Sequence, residues 1–218
     1  IDAEHYAAGS VDTTALGADA VTGAKIADDA INSEHYTDGS IDTAHIADAN
    51  VTAAKMFSGF ANGITMAQQW RLTAGLAPNS SGDITANLEI SDTNGYGSIG
   101  SNMTISSGVF TFPSTGYYLI TVSAFIGFAT QSDAQASVIT RVTTNNSSYG
   151  DAAQASAGSN SGSGNSNFSV FSQFLFDVTN TTNCKVKFFT ESFASGSSLA
   201  GNSDTNLTSF TFLRLGDT

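Results

Sequence analysis

Large apolar residues occupy every fifth position of the first 56: Ile1, Tyr6, Val11, Leu16, Val21, Ile26, Ile31, Tyr36, Ile41, Ile46, Val51 and Met56. No regular element gathers such a series into one stripe. On an α-helix a five-residue step turns the chain by about 500°, so successive members scatter round the cylinder. On a strand five is odd, and each member lands on the face opposite the last. The chain must therefore bend within each unit. Written in tens, the segment reads IDAEHYAAGS, VDTTALGADA, VTGAKIADDA, INSEHYTDGS, IDTAHIADAN and VTAAKM, with Ile or Val first and a bulky apolar residue sixth. A longer repeat overlies it, since residues 1–26 share I, EHY, GS, DT, VT and AK with 31–56. The pattern predicts a short helical turn followed by an extended link in each unit. Asn32-Ser33 or Asp42-Thr43 would cap such a turn, with Gly9, Gly39 or Asn50 near its exit.

Two large apolar residues in ten cannot build a core within one chain. Several copies converging on an axis would stack them in layers, so the twelve are expected to form the core of a parallel trimeric stalk. The period also fits a single-chain square solenoid of pentapeptides, or a segment without fixed structure. Against the solenoid, His and Lys recur beside the apolar position, where such coils prefer small residues. The fifth column of the repeat carries all three histidines, His5, His35 and His45, together with Lys25 and Lys55. Turned inward in a trimer, each histidine would form a ring able to hold a transition metal. A lysine ring at the same depth would repel itself. The column is therefore expected to face outward, with no metal site.

After a neck over 57–67, FSGFANGITMA, the pattern becomes that of strands. WRLT (70–73), ANLEIS (86–91), NMTIS (102–106), VFTF (109–112), YYLITVSAFIGFA (117–129), ASVITRVTT (136–144), FSVFSQFLFDVT (168–179), CKVKFF (184–189) and LTSFTFLRL (207–215) are rich in β-branched and aromatic residues. Turns rich in Gly, Ser, Asn and Asp separate them. Short strands with no convincing helix predict a mainly β, antiparallel sandwich over 68–218. Its candidate core is Trp70, Phe110, Phe112, Tyr118, Phe174, Phe176, Phe210 and Phe212. Alternation puts Phe168, Val170, Ser172, Phe174 and Phe176 on one side of their strand, and Phe171, Gln173 and Leu175 on the other. The second side is apolar enough to expect a neighbouring subunit against it. The low-complexity stretches 145–167 and 192–206 are expected to be loops, the first long and mobile.

Nineteen acidic residues against seven Lys and Arg give a net charge of −12, so phosphate backbones are repelled and nucleic acid is not an expected partner. No stretch reaches the roughly 18 apolar residues of a membrane-spanning helix, so no membrane insertion is expected. There is no basic-plus-apolar leader, and a chain opening at Ile1 reads as part of something longer. With all histidines in the repeat, the sandwich has none for a nucleophile–histidine pair, and no GxSxG elbow occurs. Its acids fall mostly in turns, where they are turn formers. The chain is expected to be no enzyme and to need no cofactor. The lone Cys184, in NCKVKFF, is expected to be a small buried side chain.

SSGVFTFPSTGYYLITVSAF (106–125) resembles the part of complement C-one-q globular heads where a strand ends in a Pro-containing turn and a glycine opens a long aromatic strand. The matching positions are Phe110, Phe112, Pro113, Gly116 and Tyr118. SFTFLRLGD (209–217) resembles the last strand of that tumour-necrosis-factor-like jelly roll. DTNGYGSIGSNMTISSG and FLFDVTNTTNCKVKF are similar to variants in fibres of marine bacteriophages, cyanophages among them, and the decapeptide repeats resemble phage tail-fibre stalks. The resemblance implies a jelly roll of about ten strands in a tight homotrimer, carried on a virion fibre. It further implies docking to other virion structural proteins upstream, and attachment to a host cell-surface receptor or glycan. A capsid decoration fibre and a secreted bacterial adhesin or lectin of the same fold are the alternatives. No calcium-ligand cluster matches well enough to carry over.

Overall fold

A computed structural model of the chain describes residues 14, 16–18, 20–28, 30–48, 50–52, 55–56, 63–79, 81–129, 133–159 and 165–218. The chain divides into two compact units, Ile1–Ser58 and Gly59–Thr218.

In the repeat unit the pentad period is a turn period. The N–H of the fifth residue of a decapeptide donates to the carbonyl of the second: Lys25 to Thr22 at 2.8 Å, His35 to Asn32 at 3.1 Å, His45 to Asp42 at 3.1 Å. The N–H of the tenth donates to the carbonyl of the seventh: Ala20 to Gly17 at 3.1 Å, Ala30 to Ala27 at 3.1 Å, Ser40 to Thr37 at 2.9 Å. Each apolar residue is thus followed by its own tight turn. The expected extended link is itself turned, which corrects the sequence reading. Gly23–Lys25 and Ser33–His35 form single 3₁₀ turns. The predicted caps act as expected: Asn32 Oδ1 accepts from the Glu34 N–H at 3.2 Å, and Asp42 Oδ1 from the Ala44 N–H at 2.9 Å. Ile1, Tyr6, Val11, His5 and Gly9 lie outside the described residues, as do 57–62 of the neck.

The second unit is a two-sheet antiparallel sandwich of thirteen strands among its described residues. In chain order they are β1 Met66–Leu72, β2 Ala74–Leu76, β3 Gly82–Asp83, β4 Leu88–Ile90, β5 Thr104–Ser106, β6 Val109–Thr111, β7 Gly116–Phe128, β8 Asp133–Thr143, β9 Gly150–Ser159, β10 Ser166–Val178, β11 Lys185–Glu191, β12 Ser197–Asn202 and β13 Ser209–Gly216. The first sheet runs β2-β12-β7-β13-β1-β4, with β10 also paired to β7. The second runs β5-β6-β11-β8-β9, with β3 paired to β11. Sequence neighbours such as β6 and β7 lie in different sheets, so the chain crosses repeatedly between layers. β1 begins at Met66, which makes the last two neck positions strand.

Alternation along the strands fills the space between the sheets. Gly116, Tyr118, Ile120, Val122, Ala124, Ile126 and Phe128 of β7 are all buried, and the residues between them are not. Phe110 is the hub. Its ring centroid lies 5.2 Å from Trp70, 5.6 Å from Phe188 and 5.2 Å from Phe212, and Phe188 stacks on Phe210 at 4.1 Å. Trp70 Nε1 donates to Gln68 Oε1 at 3.0 Å, so the indole is buried without an orphaned donor. Because Phe110 is fully buried among rings, Phe110→Ala should cost about 3–5 kcal/mol, read as a lower midpoint in urea at unchanged slope.

Two expected loops are strands. β9 lies inside 145–167 and pairs along β8, with Ala155 opposite Val138 and Ala157 opposite Ala136. β12 lies inside 192–206 and pairs with β2 and β7. Neither carries the β-branched or aromatic residues that mark a strand in sequence. Tertiary pairing with a strongly β-prone neighbour overrides their weak propensity.

Candidate functional site: an uncovered apolar sheet face

The side of the first sheet turned away from the core is built from facing residues of neighbouring strands. On β10 Leu175 pairs with Leu119 of β7, Leu119 with Leu213 of β13, and Leu213 with Ala67 of β1. A bridge continues the row from Ala67 to Ile99. Paired residues point to the same face, so this is one apolar band across the sheet. Its two ends are exposed, Leu175 at 54% and Ile99 at 51%. Tyr117 and Leu215 extend it on one side, both exposed.

A polar row follows two residues further along each strand: Gln173, Thr121, Thr211 and Gln69. It is braced internally, since Gln69 Nε2 donates to Thr211 Oγ1 at 2.9 Å. Beyond it stands Phe171, opposite Ser123 and 60% exposed. An apolar band of this extent on one face marks a contact surface.

The predicted alternation of this strand holds. Phe176 and Ser172 are buried, Phe174 and Val170 are partly buried against the core, and Phe171, Gln173 and Leu175 face away. Phe168 is on the core side but partly exposed, edge-on to Phe128 at 5.7 Å. Of the other candidate core residues, Trp70, Phe110, Phe112, Tyr118, Phe210 and Phe212 are buried together in one cluster. Cys184 is a free, buried thiol.

The residues that carried the family resemblance have local reasons. Tyr118 Oη donates to the carbonyl of Ser114 at 3.0 Å, which ties the Pro-containing turn to the long strand. Gly116 sits at φ 136°, and a Cβ there would lie 2.4 Å from the Gly216 carbonyl and 2.6 Å from Arg214 Nε. Only glycine fits. The Arg214 guanidinium beside it donates to the Thr115 carbonyl at 2.8 Å and Thr65 Oγ1 at 2.9 Å. One buried cation therefore joins the start of β7 to the end of β13 and to the entry of β1.

In the repeat unit the apolar column is uncovered. Leu16, Val21, Ile26, Ile31, Tyr36, Ile41, Ile46 and Val51 range from 39% exposed at Ile26 to 58% at Val21, and Met56 is half-buried. A pentapeptide solenoid would bury them within its own chain, so the described residues do not form one. The fifth-column side chains fold back on their own turn or the one before it. His35 Nδ1 accepts from the Asn32 N–H at 3.2 Å, His45 Nδ1 lies 2.8 Å from Asp42 Oδ1, and Lys25 Nζ donates to the Ala20 carbonyl at 2.8 Å. Among the described residues no three His, Cys, Asp or Glu are grouped as a metal would require.

No protein-family profile matches the chain, and no curated protein matches it. Solved structures do. The Eiger tumour necrosis factor of S. frugiperda aligns over 72% of this chain and 96% of its own, at 13% identity and a TM-score of 0.54. Murine APRIL at pH 8.5 aligns over 69% of this chain and 98% of its own, at 8% identity and a TM-score of 0.50. At such identities the likeness is one of backbone architecture. The two-sheet sandwich of this chain has the tumour-necrosis-factor-like jelly-roll fold.

Proposed function

We propose that the chain is a homotrimeric virion fibre protein whose jelly-roll head attaches to a receptor or glycan on a bacterial surface. The observation that carries self-assembly is the apolar band from Leu175 to Ile99, left open on a single copy. The repeat column gives a second, independent reason, since its large apolar residues are also bare in one chain. Copies associating about an axis would cover both, and the resemblance to complement heads and phage fibres supports three copies. Attachment is supported by the resemblance of repeat and head to marine phage fibres. Three heads held together give avidity, so weak individual contacts suffice. The role is binding and carries no catalysis: incubation with bacterial surface polysaccharide should release no new reducing ends.

Sedimentation of the full chain should give the mass of three copies, and a stable monomer would overturn the assembly. Labelled trimer should also decorate cells of a susceptible bacterium and block the parent virion from them. Replacing Ile31 and Ile41 by Asp should open the repeat unit to protease while leaving the sandwich melting transition in place. In the trimer each layer would then hold three carboxylates in an apolar seam. Equal protease resistance of variant and parent would show that the column is not buried.

A further inference from the structure

At the β1–β4 end of the first sheet, three strands from Phe171 and on the side of Gln69 away from the apolar band, a polar cleft of about 310 Å³ opens between two loops, one joining β4 to β5 and one joining β12 to β13. Its walls are braced to each other. Thr93 Oγ1 and Asn94 Nδ2 both donate to the Asp204 carbonyl at 3.1 Å, and Ser91 Oγ donates to Asn206 Oδ1 at 3.2 Å. Asn202 Oδ1 accepts from the Asp204 N–H at 2.7 Å and the Thr205 N–H at 2.8 Å, which sets the second loop. The floor is Arg71, 2% exposed, whose Nε donates to Glu89 at 2.7 Å, Nη1 to Thr93 Oγ1 at 2.9 Å and Nη2 to Asp92. Burial opposes its charge, but Glu89 and then Asp92 outweigh that, so its pKa is raised and it stays a cation.

The bracing engages the side chains of Ser91, Thr93, Asn94, Asn202 and Asn206 and leaves those of Asp204 and Thr205 to face a ligand. The Asp204 carboxylate and the Thr205 hydroxyl are engaged by no other described residue. Tyr96 accepts the Gln69 N–H at 2.8 Å, which leaves its phenol proton to donate and adds an aromatic surface. The lining contains no Leu, Ile, Val or Met, so an apolar ligand gains nothing there. Glu89, Asp92 and Asp204 outnumber the single cation, so an anionic ligand is repelled. A preformed, rigid, polar concavity with an aromatic wall and separate donors and acceptors suits a compact neutral molecule rich in hydroxyls. We propose that this cleft is a binding site for a neutral saccharide unit. The proposal rests on the attachment reading above for the source of its ligand and assigns that reading a place on the head.

The test uses the full chain and saturation-transfer NMR with the methyl glycosides of glucose, galactose, mannose and N-acetylglucosamine, and with glucuronate. At least one neutral glycoside should bind with a dissociation constant on the order of millimolar. Thr205→Arg, at an exposed position inside the cleft, should weaken it by about tenfold or more, because the long cationic side chain fills the space. Thr182→Arg, on the β10–β11 turn, should leave it unchanged, and glucuronate should bind at least about tenfold more weakly than the neutral glycoside that binds best. Silence from all four glycosides, binding that survives Thr205→Arg, or glucuronate binding as well as the best neutral glycoside would each overturn the assignment. Cell adhesion separates the two ideas. Glycoside binding lost in Thr205→Arg, with neither chain adhering to cells, keeps the cleft and overturns attachment. Equal adhesion by both chains, with no glycoside bound, keeps attachment and overturns the cleft.

Discussion

Phe171→Asp combined with Leu175→Asp should convert the assembly into single, folded chains. Both side chains stand clear of the core, Phe171 60% and Leu175 54% exposed, so the change removes nothing that holds the sandwich together. In one copy the two carboxylates sit in water at no cost. In the assembly each would lie against a neighbour's apolar surface, where an unpaired carboxylate costs several kcal/mol. Every subunit contact carries that penalty, so the closed oligomer loses it at each interface. Sedimentation should report a monomer, and the far-ultraviolet spectrum should keep its β signature. Thr182→Asp, at an exposed position of the β10–β11 turn, is the control and should leave assembly intact. An intact oligomer in the double variant would mean that this face is not where the copies meet.

Removing residues 151–158 should abolish folding of the sandwich. The segment is most of β9, which pairs along β8 from Asp133–Ser159 to Val142–Gly150. Its inward side chains are Ala153, Ala155, Ala157 and Ser159, and Ala155 is 2% exposed. Without them β8 becomes an open edge, and Val138, now fully buried, meets solvent. Net domain stability is only about 5–15 kcal/mol, so losing a full edge ladder and one side of the core exceeds it. The measurement is the loss of a cooperative thermal transition and of near-ultraviolet ellipticity. A gentler probe is Gly158→Val: a Cβ there would lie 2.2 Å from the Ala134 carbonyl, an overpacking worth about 1–3 kcal/mol. An unchanged melt in both would show that β9 is ornamental.

β9 is also where sequence reasoning stopped short. GDAAQASAGS contains no β-branched or aromatic residue, and apart from Tyr149 its flanks are Ser, Gly and Asn. The inward alanines do alternate, but period two in so small a residue is indistinguishable from low complexity. The information that makes this segment a strand sits in ASVITRVTT of β8, the neighbouring arm of a hairpin, and not in the residues of β9 themselves. By contrast, the strands with large inward residues were legible, β10 down to which side each phenylalanine takes. The repeat was legible as a period and as a set of caps, because Asn32 and Asp42 act within three residues of themselves. Its second turn was not, since Ala27 and Ala47 offer no side-chain signal at their turn starts.

The apolar face was half legible. Phe171, Gln173 and Leu175 announced a second side to their strand, but Ile99 and Ala67 carry no such mark. Only the register across β10, β7, β13 and β1 aligns them into a band. The polar cleft was not anticipated at all. Asn94-Gly95 reads as a turn and NSDTN as a loop, and their meeting over Arg71 depends on strands more than a hundred residues apart in sequence.

The self-contained bonding of the repeat has a bearing on how such a segment changes length. Each loop of backbone closes on residues three places back, and each cap on the turn it begins. No bond in this set reaches from one decapeptide into the one beyond its neighbour. A whole cassette can therefore be duplicated or dropped with every remaining joint intact and the greasy residues still in phase. Additions of six or seven residues would throw everything downstream out of step. Such a protein grows or shrinks like a ruler cut only at its marks.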